Sequence, residues 1–343
     1  MAPTGRAAKR LAISSGRDAD TIHKALEASV RETGRTYFER NEANPLEEDL
    51  IIVDEASMLD ISLFYHLLCA LKDGARLILV GDIDQLPPVG AGEPLKDLMS
   101  WGYVPIVRLK RIFRQEEGSG IVENAALIRK GEMCVPDEAG EFRIVYAADD
   151  EDAYRIVMDL CRELNYGNEE NKMLLQVLSP MYRGVCGVDH LNESLQEMIH
   201  GEKVPDGMKF FPGDKVMQTR NDYEKGIYNG DVGTVWTATP QKVFVRYFDK
   251  EVVYEGEERF DLRLAYAVTV HKSQGSEYET VIFILRPSQH NMLQRNLLYT
   301  GVTRARKNTI LVTAPDALRR ALAIQHTGNR YSLFLPFLNH EAL

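Results

Sequence analysis

The sequence predicts an α/β protein made of two parallel-sheet units, with a small antiparallel β-barrel inserted in the second. Three observations carry this. Short apolar runs alternate with longer helical patterns along most of the 343 residues, which is the grammar of strand-helix-strand crossovers. Polar residues gather directly after those runs, at the carboxyl ends of strands where parallel sheets keep their functional groups. Residues 208–260 break the alternation with β-branched and aromatic residues punctuated by Gly213, Gly226, Gly230 and Gly233, a signature of strands joined by turns.

Taken in order, LIIVDEA (50–56) reads as a strand, ISLFYHLLCALKDG (61–74) as a helix, and RLILVGD (76–82) and VPIVRL (104–109) as strands. Within this first unit GRTYFERNEANPL (34–46) reads as a small insertion of β-hairpin type. The second unit follows with helices near 119–131 and 150–165, a strand at 174–179 and a helix at 184–200. After the barrel, with its runs VGTVWTA, KVFVRYF and EVVYEG, strands return at 264–270, 279–285 and 309–313. There is no internal repeat and no low-complexity tract.

Composition sets the broad class. Hydrophobic residues make up 44% and charged residues 27% of the chain, ordinary values for globular domains with a sizeable core. A net charge of −10 argues against binding to a polyanion by bulk electrostatics, yet the cations are clustered. Arg6, Lys9, Arg10 and Arg17 stand without an acid in 1–17, and Arg108, Lys110, Arg111 and Arg114 do so in 104–114. Seven Arg and Lys face the single acid Asp316 across 286–320. Basic stripes on an acidic body suit a channel. Cys69, Cys134, Cys161 and Cys186 are scattered with no C-x-x-C pair, which reads as reduced, non-metal cysteine in a cytoplasmic protein. No apolar run approaches the length of a membrane span, and the start has no signal-peptide core.

The chemistry is concentrated at strand ends. In IIVDEASMLD (51–60), Asp54 and Glu55 close an apolar strand; such a pair holds Mg²⁺ through the first carboxylate and orients an attacking water through the second. VGDIDQLPPVG (80–90) repeats the geometry, with Gln85 placed before two prolines where a side-chain amide can sense a terminal phosphate. RLKRIFRQ (108–115) and LLYTGVTRARK (297–307) supply arginines after apolar segments, and Arg114 and Arg304 are the choices for the cations that phosphoryl transfer needs. AYAVTVHKSQGSEYE (265–279) ends a strand with Thr269, His271, Lys272, Gln274, Gly275 and Glu277, small and polar groups suited to a phosphate on one side and a nucleic-acid backbone on the other. APTGRAAKRL (2–11) puts Thr4 and Arg6 at the start of a helix, where backbone N–H groups meet phosphates. Each string alone also reads as a solvated turn, a capped helix or a surface ion pair. Their combination in one order decides for nucleotide-coupled work on nucleic acid.

In that order the strings resemble superfamily 1 DNA helicases, most closely the RecD-like ATP-dependent helicases of the RecD2 and TraA type. APTGRAAKRL is similar to motif Ia, IIVDEASMLD to motif II, VGDIDQLPPVG to motif III, RIFRQ to motif IV, AYAVTVHKSQGSEYE to motif V and LLYTGVTRARK to motif VI. VLSPMYRGVCGVDHLNESLQ (177–196) and FPGDKVMQTRNDYEKGIYNGDVGTV (211–235) also resemble its linking segments. The resemblance implies ATP-driven 5′→3′ translocation on single-stranded DNA, acting at duplex junctions, by two RecA-like P-loop NTPase domains with ATP between them. It implies a partial domain 1A over 1–115 with a strand-separating pin near 34–46, a domain 2A over 116–207 and 261–343, and an SH3-like 2B barrel over 208–260. By the same carry-over Asp54 binds Mg²⁺, Glu55 is the base, Gln85 and Arg114 contact the γ-phosphate of ATP and Arg304 is the finger. Gly275 and Glu277 contact nucleotide, and Thr4, Arg6, Thr269, His271 and Lys272 contact DNA.

One part of that scheme is missing. No Gly-x-x-x-x-Gly-Lys-Ser/Thr loop occurs in the 343 residues, so the phosphate cradle and one Mg²⁺ ligand are not spelled. The expectation is a first domain that is incomplete, from a truncated product or a misplaced start, and a chain that does not hydrolyse ATP competently as written. Losing a core strand and helix outweighs the roughly 5–15 kcal/mol by which domains are stable. Beside the helicase reading stand a non-hydrolysing single-stranded-DNA-binding remnant and an RNA-directed superfamily 1 helicase, the last disfavoured by the motif spelling.

Overall fold

A computed structural model describes residues 1–30, 36–109, 118–205, 207–222, 224–248, 250–325 and 334–339. The chain divides into two units, Met1–Lys110 with Gly328–Leu343, and Arg111–Thr327.

In the first unit, helix α1 (Gly5–Ser15) starts because the Thr4 hydroxyl accepts the Ala7 N–H at 3.3 Å, and it ends on Gly16 in the left-handed conformation. The short α2 (Ile22–Ala25) leads into a hairpin whose antiparallel strands are β1 (Ala28–Val30) and β2 (Thr36–Phe38). The first strand of that hairpin therefore precedes the 34–46 segment, and residues 34 and 35 lie outside the described residues. Strand β3 (Leu50–Val53) runs parallel to β4 (Arg76–Leu79), with α3 (Ile61–Cys69) as the crossover between them. Asp60 begins α3 by accepting the Leu63 N–H at 2.8 Å. Alternation sorts the sheet: Ile51 and Val53 point into a core with Leu26, Leu59, Phe64 and Leu67. Leu50, Ile52, Ile78 and Val80 on the other face are 41–49% exposed.

Helix α4 (Pro94–Trp101) follows. The apolar run at 104–109 forms no strand, contrary to its pattern. Pro105 removes a ladder donor, and Val107 and Leu109 stay 86% and 88% exposed.

The second unit holds a five-stranded, wholly parallel sheet. Its strands are β5 (Phe142–Tyr146), β6 (Leu175–Ser179), and, after the insertion, β12 (Ala267–Thr269), β13 (Tyr278–Leu285) and β14 (Ala305–Thr313) in the spatial order β12-β6-β13-β14-β5. The inserted sheet of β7 (Lys215–Gln218), β8 (Val232–Ala238), β9 (Lys242–Arg246), β10 (Glu251–Glu255) and β11 (Leu262–Leu264) is antiparallel throughout, in the order β10-β9-β8-β7-β11. Helices α5 (Gly120–Lys130), α6 (Asp150–Glu163), α7 (Glu169–Lys172), α8 (Val188–His200), α9 (Arg295–Val302) and α10 (Pro315–Ala323) complete the unit.

Both faces of the parallel sheet are covered, as parallel sheets require. Ile282, Ile284 and Val312 pack with Val157 and Cys161 of α6 and with Leu191 and Leu195 of α8. On the other face α9 lies so close that a Cβ on Gly301 would sit 2.5 Å from the Phe283 ring. The barrel is rooted by adjacent buried charges. The Asp214 carboxylate accepts from Tyr266 Oη and His200 Nε2, both at 2.9 Å, and from the Phe211 N–H at 2.7 Å. Lys215 Nζ donates to Leu175 O and Gln176 Oε1, both at 3.0 Å.

Candidate functional site

In the first unit the two strand-end motifs are sewn into one turn. The Val80 N–H donates to Val53 O and the Ala56 N–H to Val80 O, both at 2.8 Å, and the Ile61 N–H reaches Ala91 O at 2.8 Å. Gly81 makes this approach feasible: a Cβ there would meet the Ser57 nitrogen and Leu95 Cδ2 at 2.8 Å. Likewise a Cβ on Gly90 would collide with the Asp60 carboxylate. The glycines of VGDIDQLPPVG are thus packing requirements of the IIVDEASMLD turn.

Asp54 and Glu55 emerge at this junction. Glu55 has φ +53°, one of three non-glycine residues with positive φ among those described, a conformation that costs about 1–3 kcal/mol. Its N–H donates to Asp54 Oδ1 at 2.9 Å, which leaves the second Asp54 oxygen for a hard cation. Gln85 lies in the following loop, where the Asp84 N–H donates to Asp82 Oδ1 at 3.0 Å and the Gln85 N–H to Asp82 O at 3.3 Å. Its Oε1 is buried with no protein hydrogen-bond partner, and so is Ser57 Oγ. Thr4 uses its hydroxyl to cap α1, with half-buried Arg6 in the first turn beside it. Arg114 lies outside the described residues.

In the second unit the turn after β12 and the end of α9 are joined in the same way. Arg304, only 2% exposed, donates through Nε to Thr300 O at 3.1 Å and through Nη1 to Ser276 O at 3.2 Å. The Tyr278 N–H returns to Arg304 O at 2.9 Å. Gly275, with φ +70°, turns the loop between them. The Glu277 side chain is 5% exposed and accepts from Arg306 Nε at 2.9 Å. Gly275, Glu277 and Arg304 therefore belong to one constellation, and Arg304 is locked into it rather than extended.

Thr269, at the end of β12, accepts the Lys272 N–H at 3.2 Å. His271 is half-buried, and desolvation holds its pKa below the ordinary value of 6.5, so near pH 7 it is neutral and can offer a hydrogen bond but no positive charge. Lys272 Nζ reaches Asn229 Oδ1 of the barrel at 2.6 Å. It opens onto a cleft of about 1050 Å³ with Arg183, Arg220, Arg263, Tyr182 and Phe260. The Arg263 guanidinium lies 5.9 Å from the Tyr182 ring centre and is paired to Asp189 at 3.8 Å, Arg220 is paired to Asp261 at 3.5 Å, and Glu257 and Glu258 also line the cleft. Cations beside exposed aromatic rings suit stacked bases and a phosphate backbone. Of these residues only Lys272 stands out in the sequence itself. The neighbouring Tyr-Arg of MYRG and the Phe-Asp-Leu-Arg of RFDLR were the available signal.

No group of three or more His, Cys, Asp or Glu side chains able to hold a metal occurs among the described residues. Magnesium held by one carboxylate and by nucleotide oxygens needs no such group, so Asp54 fits that use. No helix among the described residues is long and apolar enough to cross a membrane.

Three family models match the chain: an AAA domain over 1–143, a RecD-like DNA helicase SH3 domain over 191–247 and a UvrD-like helicase C-terminal domain over 264–312. The chain is 38% identical over 336 residues to the ATP-dependent RecD2 DNA helicase of Deinococcus radiodurans, covering 97% of this chain and 45% of that protein. It is 32% identical over 368 residues to the RecBCD enzyme subunit RecD of Mycolicibacterium smegmatis, covering 97% and 65%. It thus spans about half to two thirds of the length of these relatives. Among solved structures, the Pif1 helicase from Bacteroides in complex with ADP-AlF3 and single-stranded DNA matches with a TM-score of 0.58 at 21% identity, covering 99% of this chain and 86% of that one. Pif1 from Candida albicans matches at 0.54 and 18%, covering 95% and 85%; both likenesses concern the fold. With these models in the motif order of the sequence, the matches together support a RecD-like helicase of superfamily 1.

Proposed function

We propose that this chain forms the motor core of an ATP-dependent 5′→3′ helicase that moves on single-stranded DNA and opens duplex junctions in the cytoplasm. The observation that carries the reading is the sewing of the Asp54-Glu55 turn to the Gln85 loop through Val53, Ala56 and Val80. It fixes a carboxylate pair and an amide at one sheet end without any of them being needed for the core. Magnesium, when bound with nucleotide, supplies charge neutralisation at the phosphates. Asp54 is its protein ligand, Glu55 orients and deprotonates the attacking water, and Gln85 meets the terminal phosphate. Arg114 and Arg304 are the cations of the reaction. Because Arg304 is held by Ser276 O and Thr300 O, reaching a phosphate means exchanging a carbonyl for an anion, which couples its use to the loop bearing Gly275 and Glu277. Thr4, Arg6, Thr269, His271 and Lys272 touch DNA, the last from the cleft beside the barrel. The domain assignment follows: 1–115 as the first motor domain with a pin near 34–46, 116–207 with 261–343 as the second, and 208–260 as the barrel.

The absence of a Gly-x-x-x-x-Gly-Lys-Ser/Thr string from the 343 residues favours a second reading, a DNA-binding piece without turnover. One experiment separates them: binding of a dT oligonucleotide by anisotropy, and ATP hydrolysis with and without that oligonucleotide, for the chain and its Glu55→Gln variant. DNA-stimulated hydrolysis lost in Glu55→Gln supports the motor. DNA binding that ignores nucleotide, with no hydrolysis, supports the second reading. Absence of DNA binding overturns both.

A further inference from the structure

Two polar atoms in the first unit, Ser57 Oγ and Gln85 Oε1, are buried without a protein partner, and their residues line the same small cleft. Ser57 is 8% exposed. Leu59, Ile83, Pro87 and Leu95 supply the apolar parts of the wall, and Glu93 and Lys96, paired to each other at 3.5 Å, its charged rim. Chemistry dictates that a buried hydroxyl and a buried carbonyl oxygen do not both remain unpaired. A hydroxyl can donate and accept, and a carboxamide oxygen only accepts. The cleft has a volume of about 10 Å³, close to the least room that one water needs.

We propose that Ser57 is a positioning residue for Gln85: a single ordered water, donated to by neither aliphatic wall, bridges Ser57 Oγ and Gln85 Oε1 and fixes the carboxamide with its oxygen inward. The functional consequence lies at the other end of the amide. With Oε1 held in the cleft, the Nε2 group faces away from it and offers N–H donors, the polarity that an anionic phosphate oxygen requires; a flipped amide would present an acceptor to an anion. Ser57 is the third residue after Asp54, so the same turn that carries the two carboxylates also sets the orientation of the amide in the next motif. The packing of Gly81 against the Ser57 nitrogen, where a Cβ would come within 2.8 Å, keeps the two segments in register. The significance of this arrangement for catalysis rests on the reading of Gln85 as the phosphate-contacting amide, but the Ser57–Gln85 linkage itself does not.

The test is therefore made without nucleotide. In the full chain labelled with ¹⁵N-glutamine, the Gln85 side-chain NH₂ signals are identified by their loss in Gln85→Glu. Their exchange with solvent and their rotation are then followed in Ser57→Ala, Ser57→Thr and the control Leu59→Val. Loss of one net hydrogen bond predicts an acceleration of roughly fivefold in Ser57→Ala. Ser57→Thr, which keeps the hydroxyl, should stay near the wild-type rate, and so should Leu59→Val, which loosens the wall without touching a polar group. An unchanged Gln85 signal in Ser57→Ala overturns the proposal, and so does an equal response in Leu59→Val. If Ser57→Ala does not fold, the Ser57→Thr and Leu59→Val pair still decides: disturbance by Thr equal to or above that by Val sinks it. A Gln85→Ala variant that leaves nucleotide response intact would instead remove Gln85 from the phosphate, with the Ser57 linkage standing.

Discussion

In the second unit β13 is the middle of five parallel strands, with helices on both faces and Val281 to Leu285 wholly buried. In the first, β3 and β4 pair with each other alone among the described residues, and one face of the pair stands nearly half in solvent. The candidate chemistry inherits this difference. Arg304 and Glu277 are part of the packed interior of their unit, whereas Asp54, Glu55 and Gln85 sit on a turn held by backbone hydrogen bonds and glycine contacts. Substitutions in the second constellation will therefore mix stability with function, and those in the first can separate them.

The sharpest contrast comes from Arg286, at the carboxyl end of β13. It is 2% exposed and donates to Ala147 O at 2.9 Å, Thr313 O at 3.0 Å and Asp150 Oδ1 at 3.1 Å. Arg286→Ala takes a donor from the buried Ala147 carbonyl and from the Asp150 carboxylate, while Thr313 O keeps the Ala147 N–H; this predicts a loss of about 3 kcal/mol, the lower end for a broken buried pair because Asp150 is partly open to water. Each unit carries one of the two tryptophans, Trp101 in the first and Trp236 in the second, so urea unfolding in Trp101→Phe and Trp236→Phe backgrounds reads the units separately. The loss belongs in the Trp236 signal. An equal shift at Trp101 would show that the two units unfold as one and would break the comparison.

Gly81→Ala is the counterpart in the first unit. A methyl 2.8 Å from both the Ser57 nitrogen and Leu95 Cδ2 must push the two motif turns apart, at about 1–3 kcal/mol, seen this time by Trp101. Because the backbone of Ser57 has to move, the same variant should weaken any nucleotide response more than a surface substitution of equal stability cost. Stability loss without that functional loss would mean that the turns are not coupled.

How much of this was legible in the sequence depends on whether the signal was local. LIIV and RLIL announce β3 and β4 because the alternation is clean and α3 between them has helical length. The Asp54-Glu55 pair, Gln85 and Arg304 are legible for the same reason: each follows an apolar run by a fixed offset. VPIVRL at 104–109 looked like a strand, but strands are completed by partners, and a proline with exposed valine and leucine shows none. FRIVY became β5 although no pattern singled it out, because its pairing with β14 is made across a long stretch of chain. Ser57 was not legible, since an unpaired buried atom distinguishes it, and the cleft residues Tyr182, Phe260 and Arg263 carried only a short local signal, since their neighbours come from distant segments.

A smaller effect concerns pH. Burial lowers the His271 pKa below its ordinary 6.5. In the unfolded chain the imidazole takes up a proton as pH falls through 6.5, while the folded protein resists it until its lowered pKa is reached. Stability is therefore lost over that window and is unaffected by this group above it, with a slope of at most about 1.4 kcal/mol per pH unit. His271→Gln should flatten the fall of the Trp236 transition below pH 6.5. A steeper fall in the variant would mean that the imidazole is stabilised as a cation and would reverse the sign.

The smallest expected change is the one that tests the comparison most directly. Ile78, on the open face of β4, is 47% exposed, and Ile282, in β13, is fully buried. Replacing each with threonine removes carbon and adds a hydroxyl. In β13 the hydroxyl has to be buried and the core loses its packing, about 3 kcal/mol in all. On β4 the hydroxyl meets water, and the change should stay within about 0.5 kcal/mol. If Ile78→Thr costs nearly as much as Ile282→Thr, the open face is covered in solution. Dilution then identifies the cover: a cost that fades at low protein concentration points to a second copy of the chain on that face, and one that persists points to a cover within the chain.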